Sequence, residues 1–101
     1  MIKHVESLEE FKELTKEGKV LVDFFATWCG PCRMLGPVLE ELDANDSFKV
    51  QIIKVDVDDL GELAAMFGIQ SIPTLIYFEN GQPVRKNVGF MRKDQILDFV
   101  K

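Results

Sequence analysis

The segment Val20 to Ala26 is apolar almost without interruption, Asp23 being the exception, and Val50 to Val57 reads as a second strand of the same kind. A strand with one wet face alternates apolar and polar residues, because successive side chains point to opposite faces. A near-continuous apolar run belongs instead to a strand covered on both faces, as in parallel sheets. Between the two runs, Met34, Leu35, Val38, Leu39 and Leu42 recur at helical spacing. A strand, a helix and a strand in that order imply a parallel pair joined by a helical crossover.

The rest of the chain extends this unit. Ile2 to Val5 reads as a short strand. Ser7-Leu8-Glu9-Glu10 forms a capping box, followed by Leu8, Phe11 and Leu14 on one helical face, and Gly18 stops that helix. The central helix starts at Cys29 and runs to about Ala44, with Pro37 expected to kink it. Asp59-Leu60-Gly61-Glu62 resembles another cap, opening a helix through Phe67 that Gly68 ends. Thr74 to Phe78 and Val84 to Val88 flank Asn80-Gly81, a strong hairpin signal. Asp94 to Lys101 closes the chain as a helix with Ile96, Leu97 and Val100 inward and a poor cap near Arg92. The order βαβαβαββα predicts an α/β fold: a central mixed β-sheet of three parallel strands plus a C-terminal antiparallel hairpin, flanked by helices. At 101 residues, one domain spanning 1–101 is expected.

Composition excludes several functions. The net charge is −5 with a pI near 4.8. No basic face is visible, so no nucleic-acid partner is expected. No apolar run approaches the ~20 residues of a membrane helix. The start, Met1-Ile2-Lys3-His4-Val5-Glu6, has neither a long apolar stretch nor a cleavage-site pattern. A cytoplasmic monomer is therefore expected.

The only two cysteines, Cys29 and Cys32, lie three positions apart in Trp28-Cys29-Gly30-Pro31-Cys32. One helical turn brings such a pair within disulfide reach. So small a ring restrains little unfolded chain, and its value as a cross-link is small. Reversible redox chemistry explains the pair better than inert burial does. A closed metal site needs four ligands, and the chain offers two Cys and a single His, His4. No metal is expected. A cysteine at the first turn of a helix faces unpaired N–H groups and the positive end of the helix dipole, which favour a thiolate. Cys29 is thus expected to be the nucleophile, exposed beside Trp28, and Cys32, one turn inside, the resolving thiol.

Asp23-Phe24-Phe25-Ala26-Thr27-Trp28-Cys29-Gly30-Pro31-Cys32 resembles the active-site stretch of the thioredoxin family. Ser71-Ile72-Pro73-Thr74 and Val88-Gly89 stand where that family has its second and third active-site loops, so the match spans the chain. The resemblance implies a thioredoxin fold and a protein-disulfide reductase cycling between a Cys29/Cys32 dithiol and an intrachain disulfide. A disulfide isomerase or oxidant of the same fold, and a non-catalytic interaction module, are the alternatives. Gly30 and Pro31 turn the backbone into the helix, and by resemblance tune the redox potential toward reducing members. Asp23 reads either as a strand-end Asp bonded to backbone or, by resemblance, as the buried base for Cys32. Lys54 reads as a snorkelling edge lysine or, by resemblance, as the modulator of Asp23. Trp28 reads as core or as part of a docking surface. The resemblance also implies a cis Ile72–Pro73 bond, placing the Ile72 backbone against the cysteines for substrate pairing. It places Gly89 where a substrate backbone passes. Phe90 either widens that groove or folds inward onto Ile96 or Leu97. Phe25 stands where many members have a second Trp, a departure expected to bear on stability and not to touch the redox centre. No cofactor is expected to bind. Electrons are expected from an NADPH-dependent, flavin-containing thioredoxin reductase, and the partners from disulfide-containing client proteins.

Overall fold

The two apolar runs become β2 (Lys19–Phe25) and β3 (Gln51–Asp56), which pair in parallel from Val20↔Gln51 to Phe25↔Asp56. The computed structural model describes residues 1–101. Beside this pair lie β1 (Lys3–His4), parallel to β3, and β4 (Thr74–Glu79), antiparallel to β2 and followed by β5 (Gln82–Val88). The sheet order is β1-β3-β2-β4-β5: three parallel strands and an antiparallel hairpin. The helices are α1 (Leu8–Thr15), α2 (Gly30–Ala44), α3 (Gly61–Met66) and α4 (Lys93–Phe99).

Strand alternation divides the sheet's side chains between two apolar layers. Leu21, Ile52, Leu75 and Tyr77 meet Leu35, Leu39 and Leu42 of α2 and Ile96 of α4. Val22, Phe24, Ile53, Val55, Ile76 and Phe78 meet Phe11 of α1 and Leu63 of α3 on the other face. Phe67 completes that second layer, its ring 5.5 to 5.9 Å from those of Phe11, Phe24 and Phe78. Both faces are covered, which is why β2 shows no polar alternation.

The local signals act at the element ends. Ser7 Oγ accepts from Glu10 N at 3.1 Å, while the Glu10 carboxylate reaches one residue further back than a capping box requires and accepts from Glu6 N at 2.7 Å. Asn80 (φ 49°) and Gly81 (φ 84°) both hold positive φ, as a type I′ hairpin turn demands. The Asn80 side chain also accepts from Gly18 N at 2.8 Å, tying the hairpin to the turn before β2.

Four expectations need correcting. Met34 leaves 64% of its surface exposed, so the apolar face of α2 is narrower than its sequence pattern. Leu97 is also exposed; Ile96 and Val100 anchor that turn, with Phe99 packed against the same layer. Asp59 does not cap α3. Leu60 holds that position without a side-chain bond, because the Asp56 carboxylate accepts Asp58 N and Asp59 N first. The start of α4 is better capped than expected, since the Gln95 side chain accepts from Arg92 N at 2.9 Å. Pro37 lies inside α2, which runs on to Ala44.

Burial separates two residues of α2 that the sequence pattern treats alike. Leu39→Ala is expected to destabilise by about 2–5 kcal/mol through lost packing and a cavity. Met34→Ala is expected to stay within about 0.5 kcal/mol. Urea midpoints at unchanged slope measure both.

Candidate active site

Strand direction gathers the site. Parallel β2 and β3 end at the same sheet edge where antiparallel β4 begins and β5 ends. The segments after β2, after β3, before β4 and after β5 therefore converge there, as loops do at the carboxyl ends of parallel strands.

The segment after β2 carries the cysteines. Cys29 is the N-cap of α2 with extended backbone (φ −87°, ψ 118°), and its Sγ accepts the Cys32 N–H at 3.2 Å. Pro31 lies in the first turn, where no N–H is required. Cys29 and Cys32 form a disulfide with Cα atoms 5.2 Å apart. The N–H aimed at Cys29 Sγ and the positive end of a 15-residue helix both favour negative charge on that sulfur. The expected exposure of Cys29 is not found: Cys29 is 5% and Cys32 3% exposed. Both pack in a small cluster with Ala26, against Phe25, Val57 and Ile72.

Asp23 points from β2 into the layer under α2, fully buried, and no protein group donates to either carboxylate oxygen. It is therefore not the backbone-bonded strand-end Asp that the sequence also allows. Burial pushes its carboxyl up to about 6, against the opposing pull of Lys54. Lys54 is not an edge lysine either. It lies on β3, inside β1, in register with Asp23, and its Nζ stands 3.8 Å from Asp23 Oδ2. The ammonium also stands 4.5 Å from the centre of the Phe25 ring. Phe25, expected to lie clear of the redox centre, thus touches both Lys54 and the cysteine cluster.

The remaining segments frame the disulfide. Trp28 is 67% exposed, hence not core, and its Nε1 donates to Asp58 Oδ2 at 2.8 Å. The Ile72–Pro73 bond is cis, and Ile72 O lies 3.7 Å from Cys29 Sγ. Gly89 (φ 102°) donates its N–H to Pro73 O at 2.8 Å, joining the loops before β4 and after β5. A side chain at Gly89 would meet no atom, so its backbone conformation is what calls for glycine. Phe90 is 38% exposed and belongs to neither apolar layer, so it is not part of the core that holds Ile96.

Three contacts escape sequence reasoning: Asp58 on Trp28, Arg33 donating to Thr27 O at 3.3 Å, and Phe25 under Lys54. Asp58 had a signal, since the acidic run Asp56, Asp58, Asp59 follows a parallel strand directly, at the loop-bearing edge. No group of three or more His, Cys, Asp or Glu is close enough to hold a metal ion. No helix is long and apolar enough to cross a membrane.

Comparison with known proteins agrees with this geometry. The thioredoxin family model matches residues 2–101. The chain is 47% identical to the thioredoxin of Bacillus subtilis (strain 168) over 92 residues, 91% of this chain and 88% of that protein. It is 51% identical to a Staphylococcus aureus thioredoxin over 91 residues, 90% of this chain and 88% of that one. Among solved structures, Malassezia sympodialis thioredoxin superposes with a TM-score of 0.87 at 38% identity, covering 98% of this chain and 89% of that one. A mutant thioredoxin from Halobacterium salinarum gives 0.88 at 36%, covering 98% and 87%. A disulfide closed across the first turn of α2, in a chain so related throughout its length, is a redox-active centre: the chain belongs to the thioredoxin family and is a thiol–disulfide oxidoreductase that reduces protein disulfides.

Proposed function

We propose that the Cys29 thiolate is the attacking group and Cys32 the resolving thiol of this reductase, acting as one domain, residues 1–101. The observation that carries the assignment is the Cys32 N–H directed at Cys29 Sγ, at the N-terminus of α2. Ionisation decides the rate. A thiol of pKa ~8.5 is about 3% ionised at pH 7, one near 7 about half.

In the first step the Cys29 thiolate attacks one sulfur of the client disulfide. A Cys29–client bond forms, the client bond breaks, and the departing sulfur takes a proton from solvent. In the second, Cys32 gives its proton to Asp23, directly or through water. A cavity of about 240 Å³ lined in part by Cys32, Phe25 and Lys54 lies beside the thiol. The Cys32 thiolate then attacks Cys29 Sγ; the Cys29–Cys32 bond forms, the Cys29–client bond breaks, and the second client sulfur leaves as a thiolate that takes a proton from solvent. The client gains two electrons and the cysteine pair loses them. Lys54 offsets the charge on Asp23. Gly30 and Pro31 set the turn that fixes the redox pair. Trp28, Ile72, Pro73, Gly89 and Phe90 receive the client chain, whose backbone pairs with Ile72. An NADPH-dependent thioredoxin reductase restores the dithiol, and the protein works as a cytoplasmic monomer on disulfide-containing clients.

Insulin-disulfide reduction with dithiothreitol tests the assignment. Cys29→Ser is expected to abolish it, and Cys32→Ser to accumulate mixed disulfides through Cys29. In the reduced protein iodoacetamide is expected to label Cys29 first. Mass spectra showing Cys32 labelled first would reverse the roles.

Asp23→Asn tests the base. The wild-type rate is expected to climb as pH rises through about 6, where Asp23 ionises. The variant is expected to be flat and roughly tenfold slower or more. Stability moves the other way. The folded value of Asp23 lies above its unfolded one, about 3.9, so ionisation opposes folding. The penalty is absent below about pH 4, grows toward 6 and is complete above it. Asp23→Asn is therefore expected to gain about 1–3 kcal/mol at pH 7 and little at pH 4, the buried amide retaining part of the cost. Urea melts at both pH values check this, and a rate unchanged across neutral pH removes Asp23 from the mechanism.

Phe90→Ala is expected to weaken protein clients by about 1–2 kcal/mol in KM terms. It should leave reduction of a small disulfide nearly unchanged. Equal losses on both substrates would place Phe90 outside the docking surface.

A further inference from the structure

Lysine's four-carbon stem is flexible, so an ammonium stays beside a buried carboxylate only if something holds it. Hydrogen bonding does not hold Lys54. Its Nζ stands 3.8 Å from Asp23 Oδ2, beyond hydrogen-bond reach, and donates to no other protein group. Yet Lys54 is only 15% exposed. The partner that accounts for its position is the Phe25 ring, whose centre lies 4.5 Å away, well inside the range of a cation–π contact.

Strand register explains the contact. Asp23 stands opposite Lys54, and Phe25, two residues on, opposite Asp56, so Asp23 and Phe25 share one face and flank the same lysine. The ring is itself fixed. His4, in register with Lys54 from β1, meets it edge-on at 6.2 Å, and the cysteine cluster packs against it. Other charged groups nearby are engaged elsewhere. Asp56 accepts Asp58 N, Arg33 of α2 donates to Thr27 O, and Tyr77, further along β4, donates to Glu79. The charge that acts on Asp23 is that of Lys54.

We propose that Phe25 is a positioning residue for the redox reaction: its ring face holds the Lys54 ammonium beside the Asp23 carboxylate and so sets the pH at which Asp23 takes up the Cys32 proton. The proposal rests on Asp23 being the base. An aliphatic side chain of similar size would fill the same space without attracting the cation. Lys54 would then swing toward solvent, the carboxylate would lose its compensating charge, and Asp23 would hold its proton to higher pH.

The test follows the Asp23 carboxyl carbon by NMR pH titration in the oxidised protein, a readout independent of turnover, alongside the pH profile of insulin reduction. Phe25→Leu is expected to raise the Asp23 midpoint by about half a pH unit, the size of a partly exposed cation–π contact. The rate profile should rise with it, and Phe25→Trp should return both to the wild-type position. In a Lys54→Gln background Phe25→Leu should shift neither. Phe25→Met, unringed but of similar length, serves the same purpose if the leucine variant does not fold. An unmoved midpoint in Phe25→Leu, or an equal shift without Lys54, overturns the proposal. A midpoint that shifts while the rate profile stays flat supports the Phe25–Lys54 contact and overturns Asp23 as base, so the two failures are distinguishable.

Discussion

The pairing of β2 on both sides, parallel to β3 and antiparallel to β4, is the constraint on which the molecule depends. It buries Val20, Leu21, Val22 and Phe24 at once, two faces to two layers of helix. It also fixes where chemistry can occur. With β2 and β3 ending at one edge and the β4–β5 hairpin running the opposite way, four connecting segments meet beyond β2. Had the hairpin joined in parallel, the Ile72 and Gly89 loops would lie at the far edge, away from Cys29. The antiparallel partner needs only the short Asn80-Gly81 turn, which its positive φ angles satisfy.

The same strand carries the least comfortable residue. A carboxylate buried without a hydrogen-bond donor costs on the order of a few kcal/mol, a large share of the 5–15 kcal/mol typical of a domain. Lys54 offsets part of this, but at 3.8 Å and without a hydrogen bond the relief is incomplete. The sheet tolerates Asp23 because its neighbours Val22 and Phe24 point into the other layer, which is wholly apolar and undisturbed. Alternation thus lets one strand hold a tight core on one side and a titratable group on the other.

Much of this was legible in the residues. Near-unbroken apolar runs predicted two-sided burial, Asn80-Gly81 the hairpin, and Gly18 and Gly68 the helix ends, which do hold positive φ. The Cys29–Cys32 spacing placed a disulfide, and Asp23 declared itself by interrupting an apolar strand. What was not legible depends on neighbours distant in sequence. Met34 fits the helical period, but no element covers it. Leu97 sits beside Ile96, yet only one of two adjacent residues can face the sheet. The burial of Cys29 comes from Ile72 and Val57, brought in by loops from other strands. The role of Phe25 rests on register between β2 and β3, a relation no local pattern contains.

Burial of both sulfurs bears on how a reductase of this kind selects its clients. With Cys29 and Cys32 at 5% and 3% exposure, little of either sulfur is open to solvent, and the proposed docking of a client chain along the Ile72 loop would bring its disulfide to Cys29 Sγ. The surroundings suit such a chain. Trp28, Met34 and Phe90 are exposed apolar groups in a protein whose other large apolar residues are mostly covered. Asp58 fixes the Trp28 ring through its N–H, so the aromatic surface is presented already ordered and loses little freedom on contact. Under the proposed roles, reactivity comes from the helix end at Cys29, and selectivity from the apolar rim around it.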